Sequence, residues 1–197
     1  MNKNILITGC SSGLGLALTN YYLEQKYTVY GISREEPNIK NQNFIFKEFD
    51  LSKVKEIKNS LTSFIEQIEN IETVYLNAGI LGKIKEMTKL SYEDINEVLN
   101  INVFANKELL DILTNIQVNN IIGISSGASK NGSKGWGAYS LSKSSLNMLL
   151  NLYSKEMLNT KILAIAPGVI ETPMTDYIRF EVDDSIYTSA KILKEGI

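Results

Sequence analysis

Ile5-Leu6-Ile7-Thr8-Gly9-Cys10-Ser11-Ser12-Gly13-Leu14-Gly15 decides how this chain folds. A short aliphatic run ends at Thr8, three glycines follow, and a helical pattern continues from about Gly13 to Gln25. Glycines at a strand-to-helix turn let the backbone bend tightly and approach a pyrophosphate. The helix N-terminus then offers free N–H groups and the positive end of its dipole to the phosphates. The spacing is G-x-x-x-G-x-G, which excludes a G-x-x-x-x-G-K-[ST] phosphate loop. Taken alone, the cluster also fits a strand–helix turn that holds no ligand.

Outward from this turn, short β-branched runs alternate with longer helical patterns. Strands are predicted at Thr28–Ile32, Phe44–Phe49, Glu72–Leu76, Asn120–Ser125 and Lys161–Ala166. Helical spacing covers Val54–Ile68, about Tyr92–Leu113, about Ala138–Leu158, and the tail from about Ser185. Such alternation implies βαβ crossovers and a doubly wound α/β fold, with a parallel sheet covered on both faces. No proline falls between Pro37 and Pro167, and no linker or repeat appears, so residues 1–197 are read as one domain.

Composition narrows the chemistry. The 197 residues include no histidine and one cysteine, Cys10. That excludes Ser-His-Asp and Cys-His nucleophile systems, histidine-containing metal sites and multi-cysteine clusters, so no metal is expected. A net charge of -2 opposes bulk electrostatic binding of nucleic acid. No run approaches the roughly 18–20 apolar residues of a membrane span, and the apolar N-terminal run is too short for a signal peptide. A cytoplasmic protein with no nucleic-acid or membrane partner is expected. Tyr, Lys, Ser, Asp and Glu are left to carry any reaction, and the only arginines are Arg34 and Arg179.

Four further features point to a dinucleotide and a carbonyl. The second strand ends at Ser33-Arg34, where an acidic residue would accept from the ribose 2′-OH of NAD; a serine and an arginine suit a 2′-phosphate instead. Arg34 also fits a surface pair with Glu35 or Glu36. Tyr139 and Lys143 lie four apart on a predicted helix whose apolar residues include Leu141, Leu149 and Leu152. An ammonium beside the phenol lowers its pKa from about 10 and makes it a usable proton donor. Ser126 lies at the carboxyl end of a strand, thirteen residues before Tyr139. Asn102 is the polar member of the stripe Ile95, Leu99, Asn102, Ala105, Leu109 and Ile112, so it must find partners inside the protein.

These residues resemble the short-chain dehydrogenase/reductase family over nearly the whole chain. The resemblance implies a Rossmann-type sheet in the order 3-2-1-4-5-6 and a bound NADP(H). It matches the cofactor turn to Gly9, Ser11, Ser12, Gly13, Leu14 and Gly15, with Ser33 and Arg34 selecting the phosphate. Asp50 and Leu51 match the adenine contact, and Asn77, Ala78 and Gly79 the strand end beside the ribose. Pro167, Gly168 and Thr172 match the turn facing the nicotinamide amide. Asn102, Ser126, Tyr139 and Lys143 match the catalytic tetrad, with Tyr139 and Lys143 also touching cofactor. By resemblance Tyr139 donates the proton, Ser126 steadies the oxyanion, Lys143 holds the ribose, and Asn102 anchors a water leading to Lys143.

The loop Ser125-Ser126-Gly127-Ala128-Ser129-Lys130-Asn131 with Gly135-Trp136-Gly137-Ala138-Tyr139 is similar to the benzil reductase and sepiapterin reductase branch, which implies a small carbonyl substrate. Trp136 either lines an aromatic-friendly pocket or packs on the scaffold. The alternatives are a non-catalytic dinucleotide-binding redox sensor or structural subunit, and an NAD-dependent alcohol dehydrogenase. The family's seventh strand is expected to be absent. Residues from 173 to about 189 are expected to form a short, mobile flap, because Glu181, Asp183 and Asp184 favour solvent. A homodimer through the 92–113 and 138–158 helices is a further expectation.

Overall fold

In the computed structural model, which describes residues 3–195, β1 (Asn4–Thr8) occupies the middle of a parallel sheet. β2 (Thr28–Ser33) and β3 (Phe44–Glu48) extend it on one side. β4 (Ile71–Leu76), β5 (Val118–Ile124) and β6 (Lys161–Ile165) extend it on the other. The order is β3-β2-β1-β4-β5-β6, as predicted, with six strands among the described residues. The chain reverses direction across the sheet between β1 and β4. That reversal opens a crevice at the carboxyl ends of these strands, where such sheets bind ligands.

Alternation along β1 builds two cores. Ile5 and Ile7 pack with Leu23 of α1 (Gly13–Glu24) and with Val29. Leu6 faces the other way, into a cluster with Ile57, Leu61 and Ile65 of α2 (Ile57–Glu66). Side chains on a strand alternate faces, so a strand buried on both sides reads as one continuous apolar run. The same second cluster takes Leu109, Leu110 and Leu113 from α4 (Ala105–Leu113), and Leu146, Leu150 and Tyr153 from α5 (Gly137–Glu156). Each fully buried leucine contributes about 1.5–3 kcal/mol.

Three expectations need correction. The predicted helix over 92–113 is α3 (Tyr92–Leu99), a π-helical turn at Asn100–Phe104, and then α4. The wider turn shifts the phase upstream of Asn102, so Asp94 and Val98 are the buried residues of α3 rather than Ile95 and Leu99. On α5 the buried face is Tyr139, Ser142, Lys143, Leu146, Leu150 and Tyr153, whereas Leu141 and Leu152 are about half exposed. Finally, the segment from 173 to about 189, expected to be a solvated flap, folds as α6 (Pro173–Glu181), a turn and the start of α7 (Thr188–Glu195), the last being the helix predicted for the tail. Ile178, Val182 and Ala190 bury themselves there with Trp136 and Tyr139. The acidic residues sit at turns and edges, where Asp183 accepts from Ser185 and Asp184 pairs with Lys194.

Candidate active site

The glycine turn is closed by steric need. A Cβ on Gly15 would stand 2.0 Å from the Gly9 carbonyl oxygen, so only glycine lets α1 start this close to β1. The Asn77 side chain braces the same turn by donating to the Thr8 and Gly9 carbonyls at 2.9 and 3.1 Å. Thr8 Oγ1 in turn accepts from the Asn77 and Ala78 amides at 3.0 and 3.1 Å. Asn77 therefore locks two strand ends together, and both recorded contacts of its side-chain nitrogen are to backbone. Ser12 caps α1 with extended backbone but no side-chain hydrogen bond, so no hydroxyl covers the first amides of the helix.

Two cavities share Ser12, Ala78 and Gly79 and form one groove along the carboxyl edge of the sheet. The smaller, about 150 Å³, is lined by Gly9, Ser11, Ser33, Arg34, Asp50 and Leu51. Arg34 is exposed there, and no ion pair joins it to Glu35 or Glu36 among the described residues. Asp50 accepts from the Ser52 amide at 2.9 Å, and that bond, more than the nearby Arg34 charge, lowers its pKa. Ser33 departs from expectation. Its hydroxyl is buried against Cys10 at 3.3 Å and donates to the Glu35 carbonyl at 2.8 Å, which leaves Arg34 as the group facing outward. Buried polar groups take internal partners, and this serine at a strand end finds two.

The larger cavity, about 420 Å³, brings Ser126, Tyr139 and Lys143 together with Gly13, Leu14, Pro167, Gly168 and Thr172. Thr172 caps α6 and bonds reciprocally with Thr175. The glycine turn abuts it, since a Cβ on Gly13 would stand 2.9 Å from Thr172 Cγ2. Trp136 does both things the sequence left open: it lines this cavity and packs edge-on against Tyr139, with ring centroids 6.2 Å apart.

Asn102 lies just outside, fully buried in the π-helical turn. Its Oδ1 accepts from the Ile80 amide at 2.8 Å, and its Nδ2 donates to the Ile80 carbonyl and to Ser142 Oγ, both at 2.9 Å. The amide is thus engaged by protein. Ser142 completes the link by donating to the Tyr139 carbonyl at 2.7 Å. Sequence reasoning missed Ser142, although its place three residues after Tyr139 puts it on the same helical face. Gly79 is small for a local reason: a Cβ there would meet Asn102 Oδ1 at 3.0 Å and Lys143 Nζ at 3.4 Å.

The electrostatics differ from the simple tyrosine–lysine picture. Lys143 donates from Nζ to the Ile124 carbonyl at 2.7 Å and lies 5.5 Å from the Tyr139 ring centroid. Burial pulls its pKa down to about 8. Burial also pushes the Tyr139 phenol up, opposed only in part by the Ser126 hydroxyl. The expected lowering of Tyr139 by Lys143 is therefore not the dominant effect in the protein alone, because the same dry surroundings penalise both charged forms. A phenol that keeps its proton is still a donor.

Comparisons with known proteins agree with this architecture. The short chain dehydrogenase family model matches residues 3–183. A benzil reductase ((S)-benzoin forming) of Bacillus cereus is 34% identical, covering 90% of this chain and 79% of that protein. A benzil reductase ((S)-benzoin forming) of Saccharomyces cerevisiae is 30% identical over 91% of this chain and 76% of its own. Among solved structures, a short-chain dehydrogenase/reductase of Saccharomyces cerevisiae superposes with a TM-score of 0.87 at 25% identity, over 98% of this chain and 82% of that one.

Proposed function

This chain belongs to the short-chain dehydrogenase family, and from that premise we propose that it reduces a small carbonyl compound to an alcohol with NADPH. One juxtaposition carries the reading: Tyr139, Ser126 and a buried Lys143 face one cavity that is continuous with the glycine turn. The uncapped first turn of α1, the close-packed glycines and the outward Arg34 fit a dinucleotide bearing a 2′-phosphate. When bound, the reduced nicotinamide supplies the hydride that goes to the carbonyl carbon. Tyr139 gives its proton to the carbonyl oxygen, and Ser126 donates a hydrogen bond to that oxygen as charge develops on it. Lys143 holds the ribose hydroxyls and returns positive charge to the phenol. Asn102 acts as a positioning residue through Ile80 and Ser142.

Among the described residues, Lys143 is the sole charged group lining the larger cavity beside the phenol of Tyr139, and Trp136, Met174, Ile178 and Leu193 contribute apolar surface. An uncharged substrate with an apolar substituent suits such walls, whereas a phosphate or carboxylate would be buried there without a dedicated partner. The names of the benzil reductase relatives point the same way. We place the reaction in the cytoplasm, in keeping with the buried free thiol of Cys10; among the described residues no helix is long and apolar enough to cross a membrane. Two copies would pair through the 92–113 and 138–158 helices, which expose Phe104, Leu141, Met148 and Leu152. The deciding experiment follows NADPH and NADH consumption with diketones, quinones, pterins and aromatic aldehydes. Turnover of an uncharged ketone with NADPH preferred is expected; no turnover of any carbonyl, or tighter binding of NADH, rejects the corresponding part.

A further inference from the structure

Arg179 is one of two arginines in the chain, and it lies outside the groups that face the carbonyl. Its Nη1 and Nη2 donate to the two oxygens of Glu171, the second at 2.7 Å. Its Nε donates to the Leu193 carbonyl, in the last turn of α7, at 3.3 Å. One planar guanidinium thus joins three pieces of chain: the loop that carries Thr172, α6 itself, and α7. A lysine, with a compact ammonium on a flexible stem, has no such fork.

Both ends of this clamp matter to the cavity. Glu171 is fixed between Ile170 and Thr172, where Thr175 Oγ1 donates to the Ile170 carbonyl at 2.8 Å and accepts from the Thr172 amide at 2.8 Å. Leu193 lines the cavity together with Met174 and Ile178. α7 has eight residues, too few to hold a helix unaided; Ala190 and Leu193 anchor it in the apolar cluster, Lys194 pairs with Asp184, and this arginine ties its last turn to Glu171. As an ion pair the contact is worth little to stability, since the Glu171 side chain is 72% exposed. Its consequence is positional.

We propose that Arg179 is a positioning residue that sets substrate selectivity: by clamping Glu171 and the Leu193 carbonyl together, it holds Leu193 beside Met174 and Ile178 and fixes the apolar wall of the cavity. This rests on the reductase reading for its kinetic consequence, but not for the position of the wall. The only tryptophan of the chain, Trp136, packs in the same cluster as Ile178, Ala190 and Leu193 and reports on that wall by its emission.

The test compares wild type with Arg179→Lys and Glu171→Gln, using a large apolar diketone, 1-phenylpropane-1,2-dione, and a small one, butane-2,3-dione. In both variants KM for the phenyl compound should rise about tenfold and KM for butanedione by less than about twofold, with kcat and NADPH affinity retained, the pattern of lost ground-state contact. Unchanged KM values, or equal rises for both diketones, overturn the proposal. Glu171→Gln, at an exposed carboxylate, carries the test should Arg179→Lys fail to fold. Should wild type oxidise NADPH with neither compound, the reductase reading is left to the wider carbonyl screen and the clamp is judged by acrylamide quenching of Trp136. Stronger quenching in the variants than in wild type upholds it, and equal quenching overturns it.

Discussion

Lys143 is a residue that folding tolerates and does not favour. Its pKa is pulled from 10.5 to about 8 by burial, so at neutral pH the folded chain carries a charge that would be better solvated in the unfolded chain. The penalty is complete below about 8 and vanishes as pH rises past the unfolded value of 10.5. Lys143→Met is therefore expected to stabilise the ligand-free protein at pH 7 by roughly 2 kcal/mol, after allowing for loss of the hydrogen bond to Ile124. That advantage should shrink steadily between pH 8 and 10.5, which urea unfolding at several pH values will measure. Tyr139→Phe removes only a hydroxyl. It should lower turnover by about 10²–10⁴-fold while NADPH affinity stays nearly intact, as read by stopped-time assays and fluorescence titration; substantial residual turnover would falsify its assignment as proton donor. The Tyr139–Lys143 spacing was legible in the sequence, whereas the direction of both pKa shifts was not. Burial sets that direction: Tyr139 shares its cluster with residues of α6 and α7, and Lys143 is enclosed against the Ile124 carbonyl and Gly79.

At the scale of elements, the long helix before β5 shows how one polar residue reshapes a periodic pattern. Asn102 has to satisfy its amide away from water, and the π-helical turn presents it to the backbone of Ile80 and to Ser142. Asn102→Ala would leave the half-buried Ile80 N–H and C=O without their side-chain partner and open a polar gap beside Ser142. Its expected cost is about 2–4 kcal/mol of unfolding free energy, with KM and kcat both impaired because Gly79 and Tyr139 are held through the same contacts; thermal unfolding together with steady-state kinetics checks it. The sequence marked Asn102 as a buried polar residue, but an apolar stripe counted at helical spacing cannot reveal a wider turn within it. Likewise, the apolar residues of α5 were countable, yet which of them faced the core was decided by Tyr139, Ser142 and Lys143 being drawn inward toward the sheet edge.

For the whole molecule, the exposed Phe104, Leu141, Met148 and Leu152 form the surface through which a homodimer is proposed. Light scattering should then give about twice the chain mass of 22.0 kDa, and Met148→Glu with Leu152→Glu should return it to the monomer mass without unfolding; a monomeric wild type rejects the pairing. The alternation of strands and helices, and with it a doubly wound parallel sheet, was legible from the chain alone, while the strand order came with the family resemblance. Short apolar runs separated by helical stretches call for parallel crossovers, and a glycine turn after the first strand marks where the sheet meets its first helix. Local spacing also brought Tyr139 and Lys143 to one helix face. What only the tertiary structure decided are the relations between distant segments: Ser33 turned inward onto Cys10, Asn102 engaged by Ile80 and Ser142, and α6 and α7 packed over Trp136. Each depends on which groups lose contact with water. Desolvation is a property of the packed whole, and no stretch of sequence carries it by itself.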